Sequence, residues 1–386
     1  MIGEIEKVFD YIKANDAYIK KAKDAQISAW RGEKNDMPVL TLTCSLTEEQ
    51  NKWLPGYNPK EIHFDSEKMF ANGLRDVLTA INGNCGAVPS MRANMGCGII
   101  PSLFGNEQRL FDDKMPWLLD HVKKETIEGM SKDHSFNING SEEFFAAMTH
   151  MDYLTEKLRD GGLDGKVFVY PLDLQGPIDS AHLVYGDTIF YDFYDDPEFA
   201  HHLLKLSNKS VYFAMDECFK RMDQSDELVT HYNAFVLPSD VGTVKISEDT
   251  TTLLSPALID EFAQPYLHEM LGRFNGGYVH YCGKNDYLLD VLLKEPLACG
   301  INFGNPDKHD MTEVLKRCRD SKKLYIGAIN RQAGEELSDY FGRILEPSYD
   351  RETGRFYVIL QYWCAANERE HVIGEFERAA ENVMKL

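Results

Sequence analysis

Short apolar runs rich in strand-forming residues alternate along the chain with segments in which apolar residues recur at helical spacing. A run of four to eight Val, Ile, Tyr or Phe residues bounded by glycine or a polar cluster is typical of a strand. On this pattern, eight runs are predicted as strands. They are Met37–Cys44, Gly86–Arg92, Lys166–Leu172, Leu228–Val236, Gly277–Cys282, Ala298–Phe303, Lys323–Asn330 and Phe356–Cys364.

Helical patterns fill the intervals between these runs. An apolar stripe predicts a helix over 66–82. Asp196-Pro197 and Ser255-Pro256 are typical helix starts, because proline suits the first helical position, and Pro265 should kink the second of these helices. Further helices are predicted over 308–320, 332–345 and 367–386.

Eight strand-then-helix units in 386 residues favour an α/β fold, a (β/α)8 TIM barrel over 37–386 preceded by an N-terminal helical extension, 1–36. An open doubly wound sheet would give the same alternation. No G-x-G-x-x-G follows a strand and no G-x-x-x-x-G-K-[ST] occurs, so the usual nucleotide-binding forms of that sheet are disfavoured. Long βα-loop insertions at 93–160 and 237–254 are candidate lids or substrate walls.

The composition excludes several classes of protein. A formal net charge of −21 argues against nucleic acid or an anionic membrane surface as a partner. No apolar run approaches the roughly 18 residues of a membrane span, and the charged N-terminus lacks the apolar core of a signal peptide. Eight cysteines in such a chain indicate reduced thiols. The expected localisation is therefore cytoplasmic.

A histidine and two cysteines form the candidate metal site. His280 and Cys282 lie two apart on one predicted strand, so they share a face, and Cys364 ends another predicted strand. One imidazole and two thiolates would suit a tetrahedral Zn²⁺ with an open fourth position. The alternative is a core histidine with two buried free thiols.

Several segments resemble the uroporphyrinogen decarboxylase superfamily, which includes zinc- and corrinoid-dependent methyltransferases. The segment His280-Tyr281-Cys282-Gly283 is similar to the H-x-C-G of the methyltransferase branch, exemplified by methylcobalamin:coenzyme M methyltransferases. The other matching segments are Leu174–Ala181, Phe193–Glu198, Ser239–Tyr266 and Ile326–Asn330. Together these segments extend over about residues 165–386.

The resemblance implies a barrel that binds zinc through His280, Cys282 and Cys364. It implies methyl transfer between a corrinoid and a thiol or a methylated small molecule such as a methyl ether. The chain has no D-x-H-x-x-G cobalamin motif, so the corrinoid would arrive on a partner protein. The sequence does not indicate the methyl donor, the acceptor or the direction of transfer. It also leaves open whether the protein forms a homodimer.

Two alternatives stay open beside methyl transfer. The first is a uroporphyrinogen decarboxylase-type enzyme, but the arginine-rich R-x-x-G-R segment of the decarboxylases is absent after the first strand, where the chain reads 44–50 CSLTEEQ. The second is a non-catalytic barrel with a structural metal or ligand site, for which four protein ligands would be expected.

Three polar residues near strand ends are candidate catalytic groups. Asp240 matches an acidic position of the family. It could act as a general base, as a substrate clamp or as a hydrogen-bond partner of His280. Asp173 and Asn330 follow predicted strands and could reach a ligand. Each of the three could equally be an ordinary loop or hydrogen-bonding residue.

Overall fold

Eight parallel strands form the centre of the protein in a computed structural model that describes residues 4–33, 37–222, 228–231 and 234–385. Six of them make one parallel sheet in the order β1-β8-β7-β6-β5-β4, and β2 pairs in parallel with β3. A bridge from Gln175 to Ser247 links the segment after β3 to β4. The strands are β1 Val39–Cys44, β2 Ser90–Met91, β3 Phe168–Val169, β4 Val244–Ser247, β5 Gly277–Tyr281, β6 Ala298–Phe303, β7 Leu324–Gly327 and β8 Val358–Cys364.

Helices follow the strands along the chain, which confirms the predicted α/β alternation. Within the described ranges, no helix is both long and apolar enough to cross a membrane. The helices are α1 Ile5–Ala14, α2 Asp16–Arg31, α3 Glu48–Trp53, α4 Pro59–Ile62, α5 Ser66–Gly83, α6 Lys124–Glu128, α7 Glu142–Asp160, α8 Pro177–Tyr185, α9 Ile189–Asp195, α10 Pro197–Phe219, α11 Pro256–Leu258, α12 Gln264–Arg273, α13 Asp286–Lys294, α14 Met311–Asp320, α15 Leu337–Ser348 and α16 Arg369–Lys385. A π-helical turn, Ile259–Ala263, stands just before Pro265, where the kink was expected.

Among the described residues, three antiparallel hairpins lie outside the parallel strands. One of them, Gln108–Arg109 with Trp117–Leu118, belongs to the 93–160 insertion. Another pairs Tyr349–Asp350 with Arg355–Phe356 just before β8.

The third hairpin corrects one predicted strand. The run Leu228–Val236 is not one strand of the parallel sheet, because Leu228–His231 pairs antiparallel with Phe235–Pro238; positions 232–233 lie outside the described residues. The parallel strand is β4, inside the segment predicted as the 237–254 insertion. Its sequence, Val-Lys-Ile-Ser, is hard to recognise as a buried strand. Every second side chain, Lys245 and Ser247, is polar and lines a cavity.

The amino end of the sheet is closed by the N-terminal helical extension. The buried Trp30 of α2 packs against Tyr278 with ring centroids 5.8 Å apart, and its indole N–H donates to the Val236 carbonyl at 2.6 Å. An apolar cluster including Leu324 and Ile359 surrounds it. Since this end is filled with apolar side chains, any ligand site on the strands has to lie at the carboxyl end.

Candidate metal centre

Asp249, His280 and Cys282 meet at the carboxyl ends of β4 and β5. One ligand atom of each lies within 4.8 Å of the other two. The imidazole Nε2 of His280 is 3.6 Å from Cys282 Sγ and 3.6 Å from Asp249 Oδ1. His280 and Cys282 come together because side chains two apart on an extended strand share a face, as predicted. Asp249 joins them from the segment that follows the neighbouring strand, β4.

Asn302 at the end of β6 fixes the orientation of the His280 ring. The Asn302 side-chain amide donates to the Ile326 carbonyl, so its Oδ1 faces the imidazole and accepts a hydrogen bond from His280 Nδ1. The proton therefore sits on Nδ1, and the Nε2 lone pair is directed at Asp249 and Cys282. Metal-binding histidines are commonly held in this way by a hydrogen bond to the other ring nitrogen.

Two glycines leave the space that this arrangement needs. A Cβ on Gly304 would lie 2.4 Å from Cys282 Sγ and 3.3 Å from His280 Cε1. A Cβ on Gly327, whose φ is +130°, would lie 2.3 Å from Asn302 Nδ2. A side chain at either position would displace a residue of the cluster or the amide that orients it.

Backbone N–H groups hold the Asp249 carboxylate and the loop that carries it. Asp249 Oδ1 accepts the Cys282 N–H at 2.6 Å. The buried Asp179 of α8 accepts the N–H groups of Asp249 and Thr250 at 2.7 and 2.6 Å. Burial raises the pKa of Asp179 to about 7, and the Asp249 carboxylate adds to that rise. These contacts fix the position of Asp249 without occupying all of its lone pairs.

The protonation states suit a metal that replaces a proton. Burial lowers the pKa of His280, and the Lys245 ammonium acts in the same direction, so the imidazole is neutral at neutral pH. Burial raises the pKa of Cys282 to about 11, and Asp249 again adds to the rise. A cation that binds here would release the thiol proton, because the thiolate is the ligand form. The donor set of nitrogen, sulfur and carboxylate oxygen fits Zn²⁺.

A cavity of about 680 Å³ opens beside the cluster, and Asp249, His280 and Asn302 line it. Met115 and Trp117 come to it from the 93–160 insertion, which therefore walls the opening as predicted. Its other apolar walls include Phe235, Tyr278 and Phe303. Its polar lining consists of Arg92, Cys97, Asp173, Gln175, Asp179, His182, Lys245, Ser247, Asp249, Thr250, His280, Asn302 and Gln361.

Asp173 lines this cavity beside two cations. Its carboxylate oxygens lie 3.6 Å from Arg92 Nη2 and 3.7 Å from Lys245 Nζ. Burial acts to raise the pKa of Asp173, but Arg92 and Lys245 outweigh it and hold the pKa below its ordinary value. Asp173 is therefore ionised at neutral pH, and its catalytic role stays a prediction.

The other two predicted catalytic residues lie elsewhere. Asp240 precedes β4 and pairs with Arg31 of α2 at 3.0 Å, at the amino end of the sheet and opposite to the cavity. Asn330 follows β7 on an exposed segment, where its carbonyl accepts from Arg343 at 3.3 Å, and it does not line the cavity. These positions give no support to a catalytic role for either residue.

Cys364 is not brought to the cluster. Its Sγ lies 3.4 Å from Cys44 Sγ, and both residues are buried at the paired ends of β8 and β1. On β8 the side chain of Gln361 lines the cavity, and the alternation of side chains sends Cys364 to the opposite face. Its role as a metal ligand stays a prediction, and Asp249 supplies the third donor in this structure.

Sequence reasoning missed Asp249 and Asn302. Both had a detectable signal. Asp249 stands two residues after the alternating segment 244–247, and Asn302 is the one amide side chain near the end of an otherwise apolar predicted strand. Cys97 also lines the cavity, and burial and the Asp173 carboxylate raise its pKa to about 11.

Comparison with known proteins adds one likeness in fold. No family profile matches the chain, and no curated protein sequence matches it significantly. Among solved structures, a methyltransferase from Methanosarcina mazei superimposes with a TM-score of 0.61 over 94% of this chain and 98% of the other. The two sequences are 13% identical, so the likeness establishes a shared fold.

Proposed function

We propose that this protein is a zinc-dependent methyltransferase in which Asp249, His280 and Cys282 hold the metal. It moves a methyl group between a corrinoid on a separate protein and a small molecule, either a thiol or a methylated compound such as a methyl ether. We further propose that β1 to β8 close into a (β/α)8 barrel whose carboxyl end is the catalytic mouth.

The proposal is supported above all by one observation: three metal-type donors converge beside a cavity that Asp249 and His280 line, and the histidine is oriented for coordination by Asn302. The solved methyltransferase with the same fold adds support, because its chain is matched almost completely. Three protein donors leave a position open, as is usual for catalytic rather than structural zinc. This argues against the non-catalytic alternative, which would call for a fourth close protein ligand.

The bound metal would supply Lewis acidity, making a thiol more acidic or polarising an ether oxygen. The residues of the chain do the rest. Asn302 keeps the Nδ1 proton in place and Asp179 holds the loop of Asp249. Trp117 and Met115 cover the opening and restrict water around the reacting molecule.

The decarboxylase alternative finds little support in the cavity. A substrate with eight carboxylates calls for many converging cations. Among the described residues that line the cavity, the lysines and arginines are Arg92 and Lys245, and both already face Asp173.

The direct test combines metal analysis with methyl exchange. Protein purified without chelator should hold about one zinc per chain and should exchange a methyl group with free or protein-bound cobalamin, followed by the visible spectrum of the cobalt. His280→Ala should abolish exchange while circular dichroism shows that the fold is retained. His268→Ala is the matched control, since His268 contacts Glu295 away from the cavity.

Two outcomes would overturn the proposal. One is exchange that proceeds equally well after the metal has been removed. The other is conversion of uroporphyrinogen to a less carboxylated product, independent of metal, which would establish the decarboxylase alternative.

A further inference from the structure

A chain of hydrogen bonds leads from the cavity to the protein surface through Thr250, His182 and Asp187. His182 of α8 and Thr250, on the segment after β4, both line the cavity together with Asp249 and His280. The Thr250 hydroxyl lies 3.0 Å from His182 Nδ1, and the Asp187 carboxylate lies 2.8 Å from His182 Nε2. The His182 side chain is 27% exposed and the Asp187 side chain is 89% exposed, so the chain of bonds ends in solvent.

The partners of the imidazole decide where the proton of the neutral ring lies. A carboxylate can only accept, so His182 Nε2 donates to Asp187 and Nδ1 is left as an acceptor. The Thr250 hydroxyl can donate to that nitrogen. A hydroxyl, a base and a third group that orients the base is the arrangement by which proteins move a proton away from a reacting group.

The groups around this chain of bonds suit a proton that moves along it. The Thr250 hydroxyl also contacts the Asp179 carboxylate, so its single proton has an acceptor on two sides. The titratable groups around His182 and Thr250 are three carboxyls and one histidine that bonds to the Leu183 carbonyl: Asp179, Asp187, Asp249 and His121. An imidazolium formed at His182 therefore faces the Asp187 carboxylate and solvent.

We propose that His182 takes up and returns protons for the molecule bound in the cavity, through the Thr250 hydroxyl, while Asp187 orients the ring. For a thiol, the S–H proton passes to Thr250 Oγ1 as the Thr250 proton passes to His182 Nδ1. A thiolate and an imidazolium are left, and the imidazolium then loses one proton to water.

The same residues serve a methylated oxygen compound in the reverse direction. Once the methyl group has moved to the corrinoid, an alkoxide or phenoxide is left. His182 gives its Nδ1 proton to Thr250, and the Thr250 hydroxyl proton passes to that oxygen. The inference rests on the proposed function for the identity of the proton that is moved, whereas the state of the His182 ring can be measured without it.

The first test needs neither metal nor methyl transfer. Metal-free protein labelled with 15N-histidine is studied by two-bond 1H–15N NMR correlation at a pH at which the ring is neutral, and His182→Ala identifies the signals among the 12 histidines. His182 should carry its proton on Nε2. Thr250→Val should shift the Nδ1 resonance and Asp187→Ala the Nε2 resonance, because each removes one partner of the ring.

The second test follows the proton itself. Zinc-loaded protein is mixed with benzyl mercaptan, and a pH-indicator dye records the rate of proton release by stopped flow. His182→Ala and Thr250→Val should each slow the release about tenfold or more, while the dissociation constant of the thiol stays within about threefold of wild type. Added imidazole should restore the rate in His182→Ala, which a merely structural role would not predict. Thr250→Ser keeps the hydroxyl and His268→Ala lies away from the cavity, so both should release at the wild-type rate.

The outcomes separate this inference from the proposed function. A proton on Nδ1 of the neutral ring, a ring that does not respond to Thr250→Val, an unchanged release rate in His182→Ala, or a slow rate that imidazole does not restore would each overturn the proton relay. Protein that binds no zinc or no thiol would contradict the proposed function, and the NMR measurement would then decide the relay by itself.

Discussion

The two ends of the parallel strands differ in chemistry, although the same strands build both. At the amino end, Trp30 and its apolar neighbours fill the space and the charged pair Arg31–Asp240 lies at the surface. At the carboxyl end, charged and metal-type side chains surround a cavity of about 680 Å³. The first end should therefore govern stability, and the second should govern binding.

Asp240 and Asp249 show the same difference within nine residues. Both belong to the segment 237–254, but Asp240 precedes β4 and Asp249 follows it. The strand carries the chain from the closed end to the open end, and an aspartate before it pairs with Arg31 while one after it meets His280 and Cys282. Whether a polar residue lies before or after the strand therefore decides which end of the sheet it reaches, and with it the role of the residue.

The largest expected effect is on stability at the amino end. Trp30→Ala should lower the free energy of unfolding by about 3–5 kcal/mol, because it empties a buried aromatic site and leaves the Val236 carbonyl without its donor. Denaturant unfolding of the metal-free protein measures this loss. Under native conditions the zinc affinity of the variant should stay within about threefold of wild type.

The matched change at the open end is Trp117→Ala. This side chain is 57% exposed, so the free energy of unfolding should change by less than about 1 kcal/mol. Equal destabilisation by the two tryptophan variants would contradict the division between the ends.

The next effect concerns the two aspartates. Asp249→Ala should weaken zinc binding by about a hundredfold or more, since it removes a proposed ligand, whereas second ligand-shell losses alone reach 10–100-fold. Asp240→Ala should leave zinc affinity unchanged. Competition with a coloured chelator measures both affinities, and a similar loss in the two variants would mean that position relative to β4 does not decide the role.

Removal of the amide that orients His280 should have a smaller effect. Asn302→Leu should weaken zinc binding about 10–100-fold, because the imidazole loses the acceptor for its Nδ1 proton. Asn302→Asp restores an acceptor and should recover part of the affinity, which a merely structural role would not predict. Asn330→Leu, on the exposed segment after β7, is the control and should have no effect.

The smallest effect is expected at the surface ion pair. Asp240→Asn should lower the free energy of unfolding by about 0.2–1 kcal/mol, because the Asp240 side chain is 58% exposed and exposed pairs contribute little. High salt should lessen the difference between variant and wild type. A loss above about 2 kcal/mol would show that the pair is more than a surface contact.

The sequence pattern predicts seven of the eight parallel strands, because each of them lies in a run of mostly apolar or strand-favouring residues. It missed β4, since Lys245 and Ser247 point into a polar cavity and interrupt the apolar run. It paired His280 with Cys282 because alternation is a local property. Alternation alone does not decide which face of β8 points inward, and the role of Cys364 as a third ligand stays a prediction.

Long-range geometry supplied what the sequence could not. Asn302 meets His280 across 22 residues because β6 lies beside β5. Asp249 meets both ligands because β4 lies on the other side. Neither neighbour relation can be read from residue spacing, although each residue stands near a strand end.

We propose that Asp249, His280 and Cys282 hold a zinc ion at the carboxyl end of the strands, and the number of sulfur ligands on the metal distinguishes this site from one that includes Cys364. Zinc K-edge X-ray absorption of the metal-loaded protein should show one sulfur at about 2.3 Å with the remaining ligands nitrogen or oxygen at about 2.0–2.2 Å. Cys364→Ser should leave that spectrum unchanged. Two sulfurs, one of them lost in Cys364→Ser, would rule out Asp249 as the third ligand and establish the ligand set of His280, Cys282 and Cys364.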